Sequence, residues 1–187
     1  CQVTSADTSV GASEYNTVVH IVEGYDFQRT AFGTSGAKDL TLSFYVKCNA
    51  TGVFTGAFVN VGNNRSLAFT YPISSANTWS RVVINVPGDT SGTWLTTNGR
   101  GISVGWAFGI GSDYVGTANQ WNAAEDMAPT SHVNWMDSTS NNYYITGVQF
   151  EEGDEVTPFE HRPYGEELSL CQRYYYRHTS GSGGNIG

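Results

Sequence analysis

Length, composition and charge exclude several classes of protein. The chain has 187 residues, and its 17 Asp and Glu residues outnumber its 9 Lys and Arg residues, giving a formal charge of -8. Nucleic-acid affinity depends mainly on Lys and Arg contacts to phosphates, so this balance argues against a nucleic-acid partner. No apolar run approaches the ~20 residues that span a bilayer, and we therefore expect no membrane insertion.

The first half of the chain alternates apolar segments with turn signals, which predicts β-strands. From Leu40 to Val46 every second residue is apolar, the pattern of a strand with one face on a core and the other toward water or a partner. Gly, Asn and Pro residues separate the segments. The predicted strands are residues 17–22, 26–32, 40–47, 53–61, 67–71 and 79–86.

Two irregular loops flank another predicted strand in the middle of the chain. Residues 87–100 form a polar loop that carries Trp94, and residues 102–110 form a strand with interspersed glycines. Residues 111–142 form a long excursion with a short apolar strand at residues 133–136. Long loops often carry functional residues, so these two loops are the first places to look for a ligand site.

The last part of the chain indicates a strand, a proline-bounded turn and an amphipathic helix. Residues 143–150 alternate with period two and are rich in aromatic and β-branched residues. Pro158 and Pro163 interrupt the strand pattern, and the first helix of the chain is expected only after them. Leu168 and Cys171 lie at helical spacing on an apolar face, so we expect Cys171 to be packed.

Together these elements predict an all-β fold of two packed antiparallel sheets with one short C-terminal helix. Residues 1–162 are the predicted β-sandwich, residues 163–178 a connecting amphipathic helix, and residues 179–187 a Gly- and Ser-rich linker to a further domain. The three cysteines are odd in number and widely spaced, which predicts free thiols rather than a disulfide framework or a zinc site.

Four segments carry a resemblance to a known family. The sequence GVQFEEGDEVTPFEHRPYGEELSLCQRYYYR at residues 147–177 resembles a segment of bacteriophage tail-fibre and tailspike proteins. In those proteins the segment closes a carbohydrate-binding-module-like β-sandwich and leads by a short helix into the next domain. The resemblance extends to EGYDFQRTAFGT (23–34), LTLSFYVKCNATG (40–52) and ANTWSRVVINVPGDTSGTW (76–94), so it covers most of the chain.

The resemblance implies a role and a set of partners. It implies a jelly-roll-like sandwich in a virion protein of the phage tail, which is extracellular when it acts in host adsorption. Fibres of this kind are usually homotrimers, and the expected partners are other tail-fibre domains and host surface polysaccharide or lipopolysaccharide. Two alternatives remain open: a purely structural spacer or trimerisation domain of the fibre, and a carbohydrate-binding module appended to a glycoside hydrolase.

The titratable residues do not indicate an enzyme. Acidic residues cluster at residues 151–155 and 160–167, but glycoside hydrolysis needs two carboxyls held ~5 to ~10 Å apart across a sugar bond. Neighbouring acids on a strand or turn rarely satisfy that geometry. His161 lies between Glu160 and Arg162, which favours a structural role. No nucleophile elbow, phosphate loop or metalloprotease motif is present, so we expect no catalytic activity.

A cofactor is not expected, with one exception implied by the resemblance. Sandwiches of the carbohydrate-binding type often hold a structural calcium ion on oxygen ligands. Acidic side chains in the loops could supply some of these ligands, although no loop has a calcium signature. The candidates are Asp7, Glu14, Asp113 and Asp154.

Loop aromatics are the strongest candidates for ligand contact. Glycans present apolar C–H faces that stack on aromatic rings, and a large ring in a polar loop is otherwise costly to expose. Trp121 is the best single candidate, and the alternative is that its ring folds back over the sandwich edge or lies in a subunit interface. Trp79, Trp106 and Trp135 lie in or beside strands and are predicted as core. The predicted glycan-binding residues are Trp94, Tyr114, Asn119, Gln120, Trp121 and Asn122.

A run of aromatic residues follows the predicted helix pattern at the end of the chain. Tyr174, Tyr175 and Tyr176, with Arg177, place large side chains on several faces of a short amphipathic helix. A closed ring of identical chains would offer partners to all of those faces. We therefore predict that these four residues make oligomer or interdomain contacts.

Overall fold

The computed structural model describes residues 1–175 and Arg177. The chain divides into two compact units, the first ending at Thr157 and the second beginning at Pro158. Tyr176 and the predicted linker at residues 179–187 lie outside the described residues. Among the residues that are described, no helix is both long and apolar enough to cross a membrane.

Two antiparallel sheets make up the first unit. The four-stranded sheet has the order β1-β6-β3-β4 and the three-stranded sheet has the order β5-β2-β7. The all-β prediction of two antiparallel sheets is therefore confirmed. The strands are β1 (Tyr15–Glu23), β2 (Leu40–Cys48), β3 (Gly52–Asn60), β4 (Ser66–Ile73), β5 (Ser80–Val86), β6 (Arg100–Ile110) and β7 (Tyr143–Glu152).

The core lies between the two sheets because each strand directs alternate apolar residues inward. In β2, Leu42 and Phe44 are completely buried, as the alternation predicted. The Phe44 ring meets Trp106 of β6 edge-on, with ring centroids 5.6 Å apart, and so joins the two sheets. Trp106 and Trp135 are buried, which confirms both as core residues.

Two predicted strands are wrong. The first was predicted at residues 26–32. The structure has there the end of a short helix, α1 (Gly24–Phe27), and a 3₁₀ turn at Gln28–Thr30. The Thr30 hydroxyl donates to the Phe27 carbonyl at 2.8 Å, and Ala31 ends the turn with a left-handed φ of 55°. The apolar residues of this segment are therefore buried by a compact turn rather than by pairing in a sheet.

The second wrong strand is the one predicted at residues 133–136. Trp135–Asp137 forms a 3₁₀ turn, and the Asn134 side chain accepts a hydrogen bond from the Met136 N–H. An Asn side chain that bonds the backbone two residues ahead offers the chain an alternative to a strand ladder. The apolar Trp135 is buried in the core by this turn.

The second unit contains the predicted C-terminal helix, α2 (Tyr164–Tyr174). Glu166 and Glu167 lie in its first turn and Arg173 in its last, where their charges complement the helix dipole. The prediction that Cys171 is packed is wrong, because its side chain is exposed and α2 has no buried residue. All three cysteines are free thiols, as predicted.

The long segment after β6 crosses the outer face of the four-stranded sheet. The Thr55 hydroxyl of β3 donates to the Met127 carbonyl at 3.1 Å, and Ser66 of β4 pairs with Asn122 as an isolated bridge. Met127 and Ala128 pack with Ala57 in a small second apolar cluster on this face. The crossing leaves part of the sheet uncovered between the loop and the edge strand β1.

Candidate functional site

A groove of about 90 Å³ lies on the outer face of the four-stranded sheet. Its floor consists of small side chains because Ala57, Gly105 and Ala107 face outward on β3 and β6, where Ala57 pairs with Gly105. The edge strand β1 forms one wall and the crossing loop forms the other. The lining residues are Tyr15, Thr17, Val19, Ala57, Val59, Asn63, Arg100, Ser103, Gly105, Ala107, Glu125 and Met127.

Polar side chains line the groove beside its apolar floor, among them Asn63, Arg100 and Glu125. The Arg100 guanidinium donates to the Val61 carbonyl at 2.6 Å and to the Asn63 Oδ1 at 2.5 Å, so the turn after β3 fixes its position. Partial burial raises the pKa of Glu125, and the positive charge of Arg100 offsets part of that rise. The groove therefore combines donors and an acceptor with an apolar floor.

Tyr114, one of the predicted ligand residues, lies behind the wall of the groove. Its ring packs edge-on against Tyr15, which lines the groove, with centroids 4.9 Å apart. Desolvation, followed by the negative charge of Glu125, raises the pKa of the Tyr114 hydroxyl. Tyr114 thus supports the orientation of Tyr15 near Glu125.

Trp94 and Trp121 do not line the groove. They pack together in a group of four aromatic side chains that we call the edge cluster: Phe27, Phe32, Trp94 and Trp121. The two indoles meet edge-on with ring centroids 5.3 Å apart, and both contact Phe32. Trp94 is only 7% exposed, so the exposed ring that the sequence predicted is not found there. Trp121 is partly buried against the core, and its Nε1 donates to the Pro87 carbonyl at 2.7 Å.

A largely buried ion pair lies beside Trp94 of the edge cluster. Arg65 donates from Nε and Nη2 to the two carboxylate oxygens of Asp89, at 2.7 and 2.6 Å. The Trp94 Nε1 also reaches this carboxylate, at 3.3 Å, and bonds the Ser91 carbonyl at 3.0 Å. Hydrogen bonding to Asp89 raises the pKa of Arg65. The polar groups of the cluster are therefore satisfied within the protein.

The polar neighbours of Trp121 mostly bond one another. The Gln120 Nε2 donates to the Asn122 Oδ1 at 3.0 Å, and the Asn122 Nδ2 donates to the Thr117 carbonyl at 2.7 Å. Asn119 adopts a left-handed φ of 62° while its N–H bonds the Ala68 carbonyl. These bonds shape the loop, and glycan contact by the three side chains stays a prediction.

The structure separates the predicted ligand residues into two groups. Five of them belong to the edge cluster and its loop, whereas Tyr114 supports the groove; the five are Trp94, Asn119, Gln120, Trp121 and Asn122. Sequence reasoning missed Tyr15, Arg100 and Glu125 as groove residues. The available signal was the outward-facing run of small residues in β6, which leaves depth beside any large side chain on a neighbouring strand.

The prediction that Trp79 is a core residue is wrong. Its side chain is 47% exposed on the outer face of the three-stranded sheet. A signal was present in the sequence, because the inward residues Val82 and Val86 of β5 place odd-numbered positions on the opposite face. Trp79 shares that outer face with Arg81.

Three of the four acidic candidates for a calcium site accept local hydrogen bonds. Asp7 accepts from the Ser9 N–H, Glu14 from the Gly11 N–H, and Asp113 from the Ser13 hydroxyl. Within residues 1–175 and Arg177, no group of three or more His, Cys, Asp or Glu side chains could hold a metal ion. The residues present therefore give no support to the calcium hypothesis.

The predicted contact residues at the end of α2 are exposed. Tyr174 and Tyr175 are both more than half exposed, and the Arg173 guanidinium lies 5.3 Å from the Tyr174 ring centroid. Arg177 is also exposed. Their role in oligomer or interdomain contact stays a prediction.

Comparisons with known proteins found no matching family model, no matching curated protein and no matching solved structure. The resemblance to phage tail fibres and tailspikes stays a prediction.

Proposed function

We propose that this chain is a non-enzymatic carbohydrate-binding module of a phage tail fibre or tailspike, with jelly-roll-like topology. In this proposal it belongs to the virion and contributes to host adsorption by binding surface polysaccharide or lipopolysaccharide. The resemblance of four sequence segments supports the phage context. The groove on the four-stranded sheet is the observation that carries the binding function.

The chemistry of the groove suits a sugar better than a fully apolar ligand. Its floor of Ala57, Gly105 and Ala107 can receive the C–H face of a pyranose ring, and Tyr15 adds an aromatic wall. Arg100 and Asn63 can donate to hydroxyl groups while Glu125 accepts from them. Concave, mostly apolar sites with a few fixed polar groups are typical of small-ligand binding.

The carboxylate content of the groove supports binding without hydrolysis. Glu125 is the only Asp or Glu among the lining residues. Glycoside hydrolases generally place two carboxyl groups on opposite sides of the scissile bond. A groove with one carboxylate can hold a sugar but lacks that pair.

A glycan array tests the proposal with the wild type and two groove variants. Gly105→Val fills the floor: a Cβ at residue 105 meets only ordinary contacts, the closest being the Val19 Cγ2 at 3.6 Å. Glu125→Gln removes a charged acceptor for a sugar hydroxyl, which should lower the affinity for the glycan by about tenfold or more. We expect both variants to lose the glycans that the wild type retains.

Tyr25→Ala is the matched control because Tyr25 is exposed and lies outside the groove. It is expected to retain the same glycans as the wild type. Retention by Gly105→Val at wild-type strength would show that the groove is not the binding site. Thermal melting of each variant separates lost binding from lost folding.

A second candidate function is a structural spacer or trimerisation domain of the fibre. The exposed side chains of Tyr164, Tyr174 and Tyr175 favour it, because large exposed aromatics often mark contact surfaces. Size-exclusion chromatography with light scattering tests it. A trimer that dissociates in Tyr174→Ser/Tyr175→Ser, together with an array on which no glycan is retained, would favour the spacer over the binding module.

A further inference from the structure

A row of three side chains crosses the outer face of the three-stranded sheet. Lys47 of β2 pairs with Tyr144 of β7, while Trp79 lies on the other side of Lys47, just before β5. The Trp79 and Tyr144 ring centroids are 6.5 Å apart, and both side chains are 47% exposed. We call Trp79, Lys47 and Tyr144 the aromatic row.

Lys47 brings a positive charge to the aromatic row and forms no ion pair with a carboxylate among the described residues. The Lys47 Nζ lies 4.7 Å from the Tyr144 ring centroid and 5.4 Å from that of Trp79. No ion pair among the described residues involves Lys47, whereas Lys38 bonds Glu152 at 2.6 Å. Cation–π contact orients the ammonium group but leaves its hydrogen-bond donors available.

A second cation lies next to the aromatic row. The Arg81 guanidinium is 6.0 Å from the ring centroid of Tyr45, with which Arg81 pairs. Tyr45 precedes Lys47 by two residues on β2, so both side chains lie on the same face. The charge of Arg81 reaches Glu151. Burial alone would raise the pKa of Glu151, but hydrogen bonds from Thr157 and Gln149, together with the charge of Arg81, lower it below its ordinary value. Arg81 is therefore partly compensated by Glu151, whereas Lys47 has no carboxylate partner among the described residues.

We propose that the aromatic row binds a saccharide that carries a carboxylate, such as a uronic acid unit. The C–H face of the sugar ring stacks on the exposed indole of Trp79, and the carboxylate accepts a hydrogen bond from the Lys47 Nζ. The Trp79 Nε1, which has no protein acceptor among the described residues, is a further donor for the sugar. This inference does not depend on the groove, which lies on the other sheet.

The charges of the chain favour one carboxylate recognised at short range over a polyanion. The formal charge of -8 repels a polyanion at long range, but this repulsion is screened beyond about 10 Å at 0.1 M salt. A contact between Lys47 and a single carboxylate acts well inside that distance. The exposed rings add the stacking surface that a free carboxylic acid would not use.

Nuclear magnetic resonance of the ¹⁵N-labelled full chain tests the inference. The chain has five tryptophans, and Trp79→Phe identifies the indole signal of Trp79. The probes are the methyl glycosides of glucuronic and galacturonic acid, each compared with its neutral glucoside or galactoside. We expect the acidic probes to shift the Trp79 signal saturably and to bind about tenfold more tightly than the neutral ones, as for a charge-assisted hydrogen bond.

Two variants of matched charge complete the test. Lys47→Gln is expected to remove the preference for acidic probes, whereas Lys38→Gln, which removes a lysine from an exposed ion pair elsewhere, is expected to keep it. Equal binding of acidic and neutral probes, a preference that survives Lys47→Gln, or no saturable shift up to about 100 mM probe overturns the proposal. Self-association measured by sedimentation that is lost in Trp79→Ala also overturns it, because the row would then be a contact between copies.

Discussion

Two places in the sandwich unit combine a pair of large aromatic rings with a basic side chain. In the edge cluster, Trp94 and Trp121 meet at 5.3 Å beside Arg65, and in the aromatic row Trp79 and Tyr144 lie 6.5 Å apart beside Lys47. The first cation has a buried carboxylate partner and the second has none among the described residues. The same residue types therefore build a structural cluster in one place and an open surface in the other.

The difference comes from the acceptors that surround each cluster. The indoles of Trp94 and Trp121 both donate to acceptors within the protein, which removes them from competition for a ligand. Buried polar groups that are fully paired stabilise one arrangement of the core. Exposed rings beside an ammonium group keep their stacking faces and donors for another molecule.

The largest expected effect is on the ion pair beside the edge cluster. The Asp89 carboxylate is 2% exposed, and Asp89→Ala leaves Arg65 partly buried without its partner. We expect the free energy of unfolding to fall by about 3–5 kcal/mol. Urea denaturation measures this loss. Lys38→Gln, which breaks an exposed pair, is expected to cost at most about 1 kcal/mol, and equal losses would contradict the distinction between the two pairs.

The second expected effect compares buried with exposed tyrosines. The hydroxyls of Tyr71 and Tyr143 are 2.8 Å apart in the core, so Tyr143→Phe leaves the Tyr71 hydroxyl without its partner and costs about 1–3 kcal/mol. The double variant Tyr71→Phe/Tyr143→Phe is expected to lose less than the single one. Tyr144→Phe, on the exposed face, is the control and should change stability by less than about 0.5 kcal/mol.

The same tyrosine pair predicts how stability changes with pH. Burial raises the pKa of both hydroxyls, so they stay neutral in the folded protein where the unfolded chain ionises, above about pH 10. Their contribution is complete below that pH and is lost as pH rises toward the folded pKa. Urea denaturation between pH 8 and pH 11 should show a steeper fall for the wild type than for the double variant. Equal slopes would contradict this origin.

A third comparison uses the two tryptophans themselves. Trp121→Phe keeps an aromatic ring but removes the hydrogen bond to the Pro87 carbonyl, so we expect a loss of about 1 kcal/mol. Trp79→Phe breaks no hydrogen bond within the described residues and should stay within about 0.5 kcal/mol of the wild type. Thermal denaturation of both variants measures the difference. A larger loss for Trp79→Phe would assign that ring a structural role.

The smallest expected effect belongs to Glu125. Because burial raises its pKa, ionised Glu125 is less favourable in the folded than in the unfolded chain, and any stabilising contribution exists only at low pH. Glu125→Gln should therefore raise the free energy of unfolding at pH 7 by at most about 0.5 kcal/mol, which is measured as a slightly higher melting temperature. Near pH 4 the melting temperature should be unchanged. A variant that is more stable but binds less glycan indicates a residue kept for binding. A lower melting temperature at pH 7 would contradict this.

Most strands could be predicted from the sequence because period-two alternation is a local property. Leu42 and Phe44 are buried as the pattern of β2 predicted. The two wrong strands failed where side chains bond their own backbone, at Thr30 and Asn134, and turned the chain into 3₁₀ geometry. Apolar content alone does not separate a strand from a buried turn of the same length.

The candidate site was less predictable than the strands. Its residues come from β1, β3, the turn after β3, β6 and the crossing loop, so Tyr15 and Glu125 line one groove although 110 positions separate them in the chain. The order β1-β6-β3-β4 places β1 next to β6, and the loop that crosses the outer face of this sheet brings Glu125 to the same groove. Nothing local in the sequence specifies which strands become neighbours across such distances.

The sequence by itself determined the all-β character, the positions of most strands, the free cysteines and the helix near the end, since each follows from local pattern or composition. Only the tertiary structure decided which aromatic side chains are buried and hydrogen-bonded and which are exposed to solvent. Trp94 and Trp121 lie in polar loops, yet their indole N–H groups donate to acceptors within the protein. Trp79 lies beside a strand and is exposed to solvent. Exposure depends on long-range packing and on the partners it supplies, which one-dimensional patterns do not contain.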